Sequence, residues 1–175
     1  VPAGAWVTTT SGFHRTSSGA DVAFLTMELL AGETLDRRLS QYGRMSPEVA
    51  LPIVRSLVEG LAAAHEAGVV HRDFKTANVM LVPGADGGER AVVTDFGLAK
   101  YVAAGASSLT HSGTILGTPA YMAPEQAAGN RGKVGPQSDV YSLGAILYSL
   151  LTGRAPFQGA TPVDNSLNGR GVEAL

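Results

Sequence analysis

The feature that most limits how this chain can fold is a polar stretch set between two apolar runs, VVHRDFKTANVML over residues 69–81. It brings Arg72, Asp73, Lys75 and Asn78 close together in sequence, and each loses free energy if it is buried without a partner. Its flanks are residues that fill cores. The fold must therefore hold this loop against a core while either pairing its polar groups or opening a cleft at them.

The patterns on either side say which elements meet there. Ser46 and Pro47, followed by Val49, Ile53, Leu57 and Leu61 on one face, predict a long helix that Gly68 stops. After the loop, NVMLV and AVVTDF predict two short β runs joined by a hairpin turn in PGADGGER. Upstream, residues 23–27 read as a buried strand, and Thr34 caps a short helix to Tyr42 with Gly43 as its stop. Downstream, Ser138 caps a buried helix to about Thr152, stopped by Gly153. Residues 1–20 are rich in Thr, Ser and Gly without a period, which predicts a frayed end with at most one strand over 6–10. Residues 100–124 form an aperiodic loop long enough to be functional or disordered.

Composition narrows the class. A chain of 175 residues that is 45% hydrophobic supports one sizeable core rather than two. A net charge of -2 supplies no basic field, which argues against nucleic acid or an anionic membrane as the main partner. The absence of cysteine excludes disulfides and Cys-ligated zinc and fits a reducing compartment. The longest apolar run, VYSLGAILYSLL, is too short to span a bilayer. A start at Val1 without a signal pattern reads as a fragment.

The second β run leads straight into Asp95, Phe96 and Gly97, so two acids, Asp73 and Asp95, leave the ends of neighbouring elements and could face one cleft. With Asn78 they offer hard oxygen ligands of the kind magnesium takes. Lys75 adds a point charge for a phosphate, and a metal-free carboxylate could orient a hydroxyl and accept its proton. Two readings stand at this point. One is metal-assisted phosphoryl transfer; the other makes Asp73 and Asp95 turn caps paired with Arg72 and Lys75.

HRDFKTAN, TDFG, GTPAYMAPE and SDVYSLGAILYSLLTGRAPF occur in the order and rough spacing of the eukaryotic-like, bacterial-type serine/threonine protein kinases, and the chain resembles that family over residues 23–163. Four linked motifs are specific where DFG alone is weak. The resemblance implies an α+β, protein-kinase-like fold, mostly the helical large lobe plus the hinge, with the small lobe largely missing. Residues 1–22 would be a poorly ordered remnant of the small lobe, 23–163 a partial kinase domain, and 164–175 a tail outside the family pattern.

The same resemblance implies roles. Asp73 looks like the base for the substrate hydroxyl, Lys75 like the lysine that steadies the transferring phosphate, and Thr118 like the threonine that contacts both. Asn78 and Asp95 would hold Mg2+. Met27 resembles the gatekeeper, Glu28 and Leu30 the residues whose backbones meet adenine, and Met80 a residue beneath the purine or plain core. Arg72 resembles the clamp for a phosphate on the activation segment, with Thr110, Ser112 and Thr114 as its candidate carriers or as ordinary loop hydroxyls. His71 and Phe96 would be packing residues. Asp139 looks like the residue that holds the catalytic loop's backbone, and Glu125 like one that pairs with a later arginine absent here. The family's Leu is Phe74 in this chain.

The implied function is transfer of the ATP γ-phosphate to Ser or Thr hydroxyls of a protein, with ATP and Mg2+ as cofactors, a cytoplasmic setting and no membrane segment in this chain. Bacterial members often continue into a membrane anchor, which would tether a parent to the inner face of the membrane. Two other classes share features: a non-catalytic kinase-like scaffold, and a small-molecule phosphotransferase, which should lack GTPAYMAPE. No G-x-G-x-x-G occurs, and the only lysines are Lys75, Lys100 and Lys133, none ahead of FLTMELL. The expectation is an inactive fragment of an active enzyme, its hinge strand deprived of sheet partners and an apolar patch exposed.

Overall fold

The computed structural model describes residues 9–15, 21–84, 87–96 and 119–157. Strand β1 (Thr9–Arg15) runs antiparallel to β2 (Asp21–Met27), in register from Thr9 opposite Met27 to Arg15 opposite Asp21. The single strand expected in the first twenty residues is thus placed at Thr9–Arg15 rather than over 6–10. Backbone pairing needs no alternating side chains, so a strand rich in Thr and Ser forms without a periodic signature. The hinge strand thus keeps a partner on one side, and among the described residues none lies on its other side.

A second sheet orders β3 (Glu33–Thr34), β4 (Val79–Pro83) and β5 (Glu89–Val93), with β4 in the middle. Gly32 makes the approach possible: a methyl group there would lie 2.1 Å from the Leu81 carbonyl oxygen, inside any contact distance. Helix α1 (Leu35–Tyr42) starts at Thr34, whose hydroxyl accepts from the Arg37 N–H, and ends at Gly43 with φ 73°. Arg38 of α1 then reaches both Glu33 and the β5 residue Glu89, tying the helix to the sheet; those two carboxylates, Glu89 first, raise its pKa further.

Helix α2 (Pro47–Glu66) is the central element, packed on β5 and on the later buried helix α4 (Pro136–Thr152). Ile53, Leu57 and Leu61 face inward as the spacing predicts, but Val49 is 51% exposed and Ala50 takes the core position. The stripe tightens to Ala50, Ile53, Leu57, Gly60, Leu61 and Ala64, which lets α2 sit close to its neighbours through small residues. Ser46 is extended at the N-cap but makes no capping bond, since its hydroxyl turns to Glu48 and lowers that carboxyl's pKa. Truncating a fully buried member such as Leu57 to Ala would cost about 2–5 kcal/mol.

Helix α4 begins before its expected cap. Gly135 is the N-cap, and Ser138 lies in the first turn with its hydroxyl accepting from the Gly135 N–H at 3.2 Å. Pro136 fits the first helical position because no intrahelical partner awaits its missing N–H. Ser142 and Ser149 are buried yet satisfied, within 3.1 Å and 3.0 Å of carbonyls one turn back. Gly153 ends the helix in the left-handed region at φ 75°. A short helix α3 (Pro124–Ala127) precedes it. Among the described residues no helix is long and apolar enough to cross a membrane.

Candidate active site

The polar loop lies where α2, β4 and α4 converge. Gly68, at φ 74°, turns the chain after α2, and residues 71–78 return across the core before β4 begins. His71 is 1% exposed, its ring centroid 5.2 Å from that of Phe74 and 4.8 Å from that of Phe96. Its Nε2 lies 2.9 Å from the Thr94 carbonyl oxygen, which can only accept, so Nε2 carries the proton. Nδ1 is then the acceptor for the Asp73 N–H at 3.4 Å. Burial pushes the imidazole pKa below its ordinary value, against a weaker upward pull from Asp139.

Asp139 of α4 holds this loop from beneath. It is 1% exposed; Oδ2 accepts from the His71 N–H at 2.8 Å and Oδ1 from the Arg72 N–H at 2.9 Å. His65 of α2 adds its Nε2 2.7 Å from Oδ2. Arg72 needs such holding, because its φ of 70° is a left-handed conformation costing a residue with a Cβ about 1–3 kcal/mol. Asp95, at φ 62°, carries the same kind of strain. The Arg72 carbonyl accepts from the Gln126 side chain of α3, while its Nε is buried without a hydrogen-bond partner among the described residues.

The acidic and basic groups of the loop meet directly. Lys75 Nζ lies 2.7 Å from Asp73 Oδ2, and the Asn78 side-chain amide donates to the Asp73 carbonyl at 2.8 Å. That donation fixes the orientation of the Asn78 amide. The Thr94 N–H donates to the Asn78 carbonyl at 3.0 Å. Asp95 is thus carried between Thr94, bonded to the loop, and Phe96, packed on His71. The pairing of Asp73 with Lys75 is the one the turn-cap reading expected, and the two readings are compatible.

On the hinge side, Met27 is 49% exposed and Glu28 is exposed, whereas Leu30 packs with Met80 against Val82 and Val92. Leu30 and Met80 are therefore brought together. Glu125 of α3 accepts from the Ser138 hydroxyl, a partner the sequence reading did not foresee. Thr110, Ser112, Thr114 and Thr118 lie outside the described residues. Sequence reasoning missed His65 and Gln126, and also Thr76, whose Oγ1 lies 2.9 Å from Asp36 Oδ1 and 3.2 Å from the Tyr121 hydroxyl. The only signal for Gln126 was its place beside Glu125, in the first turn of a helix after a proline.

The family description "Protein kinase domain" matches residues 7–172, a wider span than the motifs delimited. The chain belongs to the protein kinase domain family. Serine/threonine-protein kinase PknL of Mycobacterium tuberculosis is 47% identical over 136 residues, covering 78% of this chain and 32% of that protein. Serine/threonine-protein kinase pkn2 of Myxococcus xanthus is 47% identical over 143 residues, covering 81% and 17%. Among solved structures, Rad53 1-466 in complex with AMP-PNP superposes with a TM-score of 0.71 at 26% identity, over 98% of this chain and 40% of that one. The chain spans about a third or less of the length of the curated relatives it matches.

Proposed function

We propose that these residues supply the acceptor-activating part of a serine/threonine protein kinase, which moves the γ-phosphate of ATP to a hydroxyl of a protein. The observation that carries this reading is the Asp73 to Lys75 contact of 2.7 Å on a loop whose backbone Asp139 pins. As the hydroxyl oxygen bonds to the γ-phosphorus and the bond to the bridging oxygen of ADP breaks, Asp73 takes the hydroxyl proton. Lys75 holds the Asp73 carboxylate in place and offers its charge to the transferring group. Asn78 and Asp95 are hard oxygen donors and fit Mg2+, which neutralises phosphate charge when bound; two protein oxygens suit a cation that keeps waters and phosphate as its other ligands. Leu30 and Met80 would form the floor of the adenine site. The same reading puts the domain in the cytoplasm, where ATP is supplied.

The test is a pair of variants in the full chain, expressed with whatever flanking residues its gene encodes. Asp73→Asn should cut transfer by roughly 10²–10⁴-fold with ATP affinity nearly unchanged, because the base acts on the acceptor. Asp95→Asn should instead weaken magnesium-dependent nucleotide binding. Identical behaviour of both in the two assays would refute this division of roles.

A regulatory reading rests on the Nε of Arg72, which is buried without a partner among the described residues. A guanidinium in that state accommodates a phosphate with charge-assisted bonds, and Thr110, Ser112 or Thr114 would carry it. Phosphopeptide mapping of the active kinase should find one of these three modified, and Arg72→Ala should abolish the activation that modification brings. Modification confined to other residues would remove the three sites from consideration.

A further inference from the structure

Gln126 does two things with one side chain. Its Oε1 accepts from the Ala123 N–H at 3.1 Å, and its Nε2 donates to the carbonyl of Arg72. The first bond stays within the segment that enters α3. The second leaves it and crosses to the catalytic loop, 54 residues away in sequence.

The carbonyl it reaches belongs to the peptide that joins Arg72 to Asp73. On the Arg72 side the backbone is in the left-handed region, at φ 70°, and its N–H is held by Asp139. On the Asp73 side the same peptide's N–H has, among the described residues, the long 3.4 Å contact with His71 Nδ1. Asp139 fixes the preceding peptide and Asn78 the following one, so Gln126 is the side chain that holds the carbonyl of the peptide between them. Freeing that peptide would loosen φ of Asp73, and with it the direction in which the carboxylate leaves the backbone toward Lys75. Gln126 also lines, with Tyr121 and Met122, the small cleft bordered by Arg72 and Asp73, so the bond joins the surface next to the base to the base's own backbone.

We propose that Gln126 is a positioning residue for phosphoryl transfer: by donating to the Arg72 carbonyl it sets the orientation of Asp73, and so couples the placement of residues 119–127 to the catalytic base. This rests on the kinase reading given above. The cap to Ala123 is separable from this action. Glu at position 126 keeps the accepting oxygen and the shape but, ionised, cannot donate; Met keeps neither.

Two measurements test it. The first needs no activity: amide hydrogen exchange on the 175-residue chain should show the Asp73 N–H exchanging about tenfold faster in Gln126→Glu than in wild type, with Tm nearly unchanged, as expected when one local restraint is lost. The second is steady-state kinetics on the full chain, where Gln126→Glu should lower kcat about tenfold with the KM for ATP unaltered, since small displacements of a catalytic group are costly. A purely capping role predicts a silent Glu variant and a destabilised Gln126→Met variant, and that pattern would overturn the proposal. Unchanged exchange at Asp73, or faster exchange with kcat within twofold of wild type, would overturn it as well. Lack of transfer by the wild-type full chain would instead refute the kinase reading, and the coupling of Gln126 to catalysis with it; the exchange result alone would then report whether the restraint on Asp73 exists.

Discussion

The catalytic loop and the hinge belong to one proposed site, yet the chain treats them in opposite ways. Residues 71–78 are held by Asp139 from α4, by Gln126 from α3 and by Thr94 after β5, and His71, Thr76 and Asn78 are buried. The hinge that follows β2 is open: Met27 is 49% exposed and Leu29 96% exposed, with Leu30 alone tucked against Met80 and its neighbours. Two helices and the end of β5 converge on the loop that carries Asp73. On the nucleotide side, the described residues supply a two-stranded ribbon and a few side chains. On the proposed reading, preorganisation for the acceptor is thus separable, in this chain, from grip on the nucleotide.

The largest effect that could break this comparison is on transfer itself. Phosphoryl transfer depends almost entirely on positioning and on electrostatic stabilisation of the phosphates. These residues include no glycine-rich loop and no lysine ahead of β2. A polypeptide of these 175 residues alone, given labelled ATP, magnesium and a generic basic protein, should transfer no more phosphate than its Asp73→Asn control. Transfer clearly above that control would mean that the ordered loop suffices and that the open hinge is no handicap.

The same division governs what could be read from sequence. The helix at 47–66, the caps at Thr34 and Gly153 and the hairpin carrying Asp95 follow from local rules, because a proline at a first turn or a glycine at positive φ acts within a few residues. The polar loop was legible as a site because its composition conflicts with its flanks. What could not be read was contact at long range. The link from His65 to Asp139 spans 74 residues, and that from Gln126 to Arg72 spans 54; neither leaves a periodic trace. Val49 was misassigned for a related reason: a face drawn from four apolar residues is uncertain by one position, and the small Ala50 that packs closest carries the weakest hydrophobic signal. Strand β1 was expected over 6–10 and lies at Thr9–Arg15, because a run of Thr, Ser and Gly without a period gives no mark of where backbone pairing with β2 begins.

The smaller effects are on stability, and one paired measurement sharpens the contrast. Asp139→Ala leaves the N–H groups of His71 and Arg72 without their acceptor in a buried setting, so urea unfolding of the chain should show a loss of roughly 2–5 kcal/mol. Leu29→Ser should change stability by no more than about 0.5 kcal/mol, since a side chain that is 96% exposed gives up no packing. Removing an apolar group already in water neither gains nor loses burial within the chain, so the m-value should hold and the midpoint should barely move. A loss above 1 kcal/mol for Leu29→Ser would mean that the hinge is covered in solution, by a second copy or by residues outside those described. The openness set against the pinned loop would then be a property of the isolated fold and not of the protein at work.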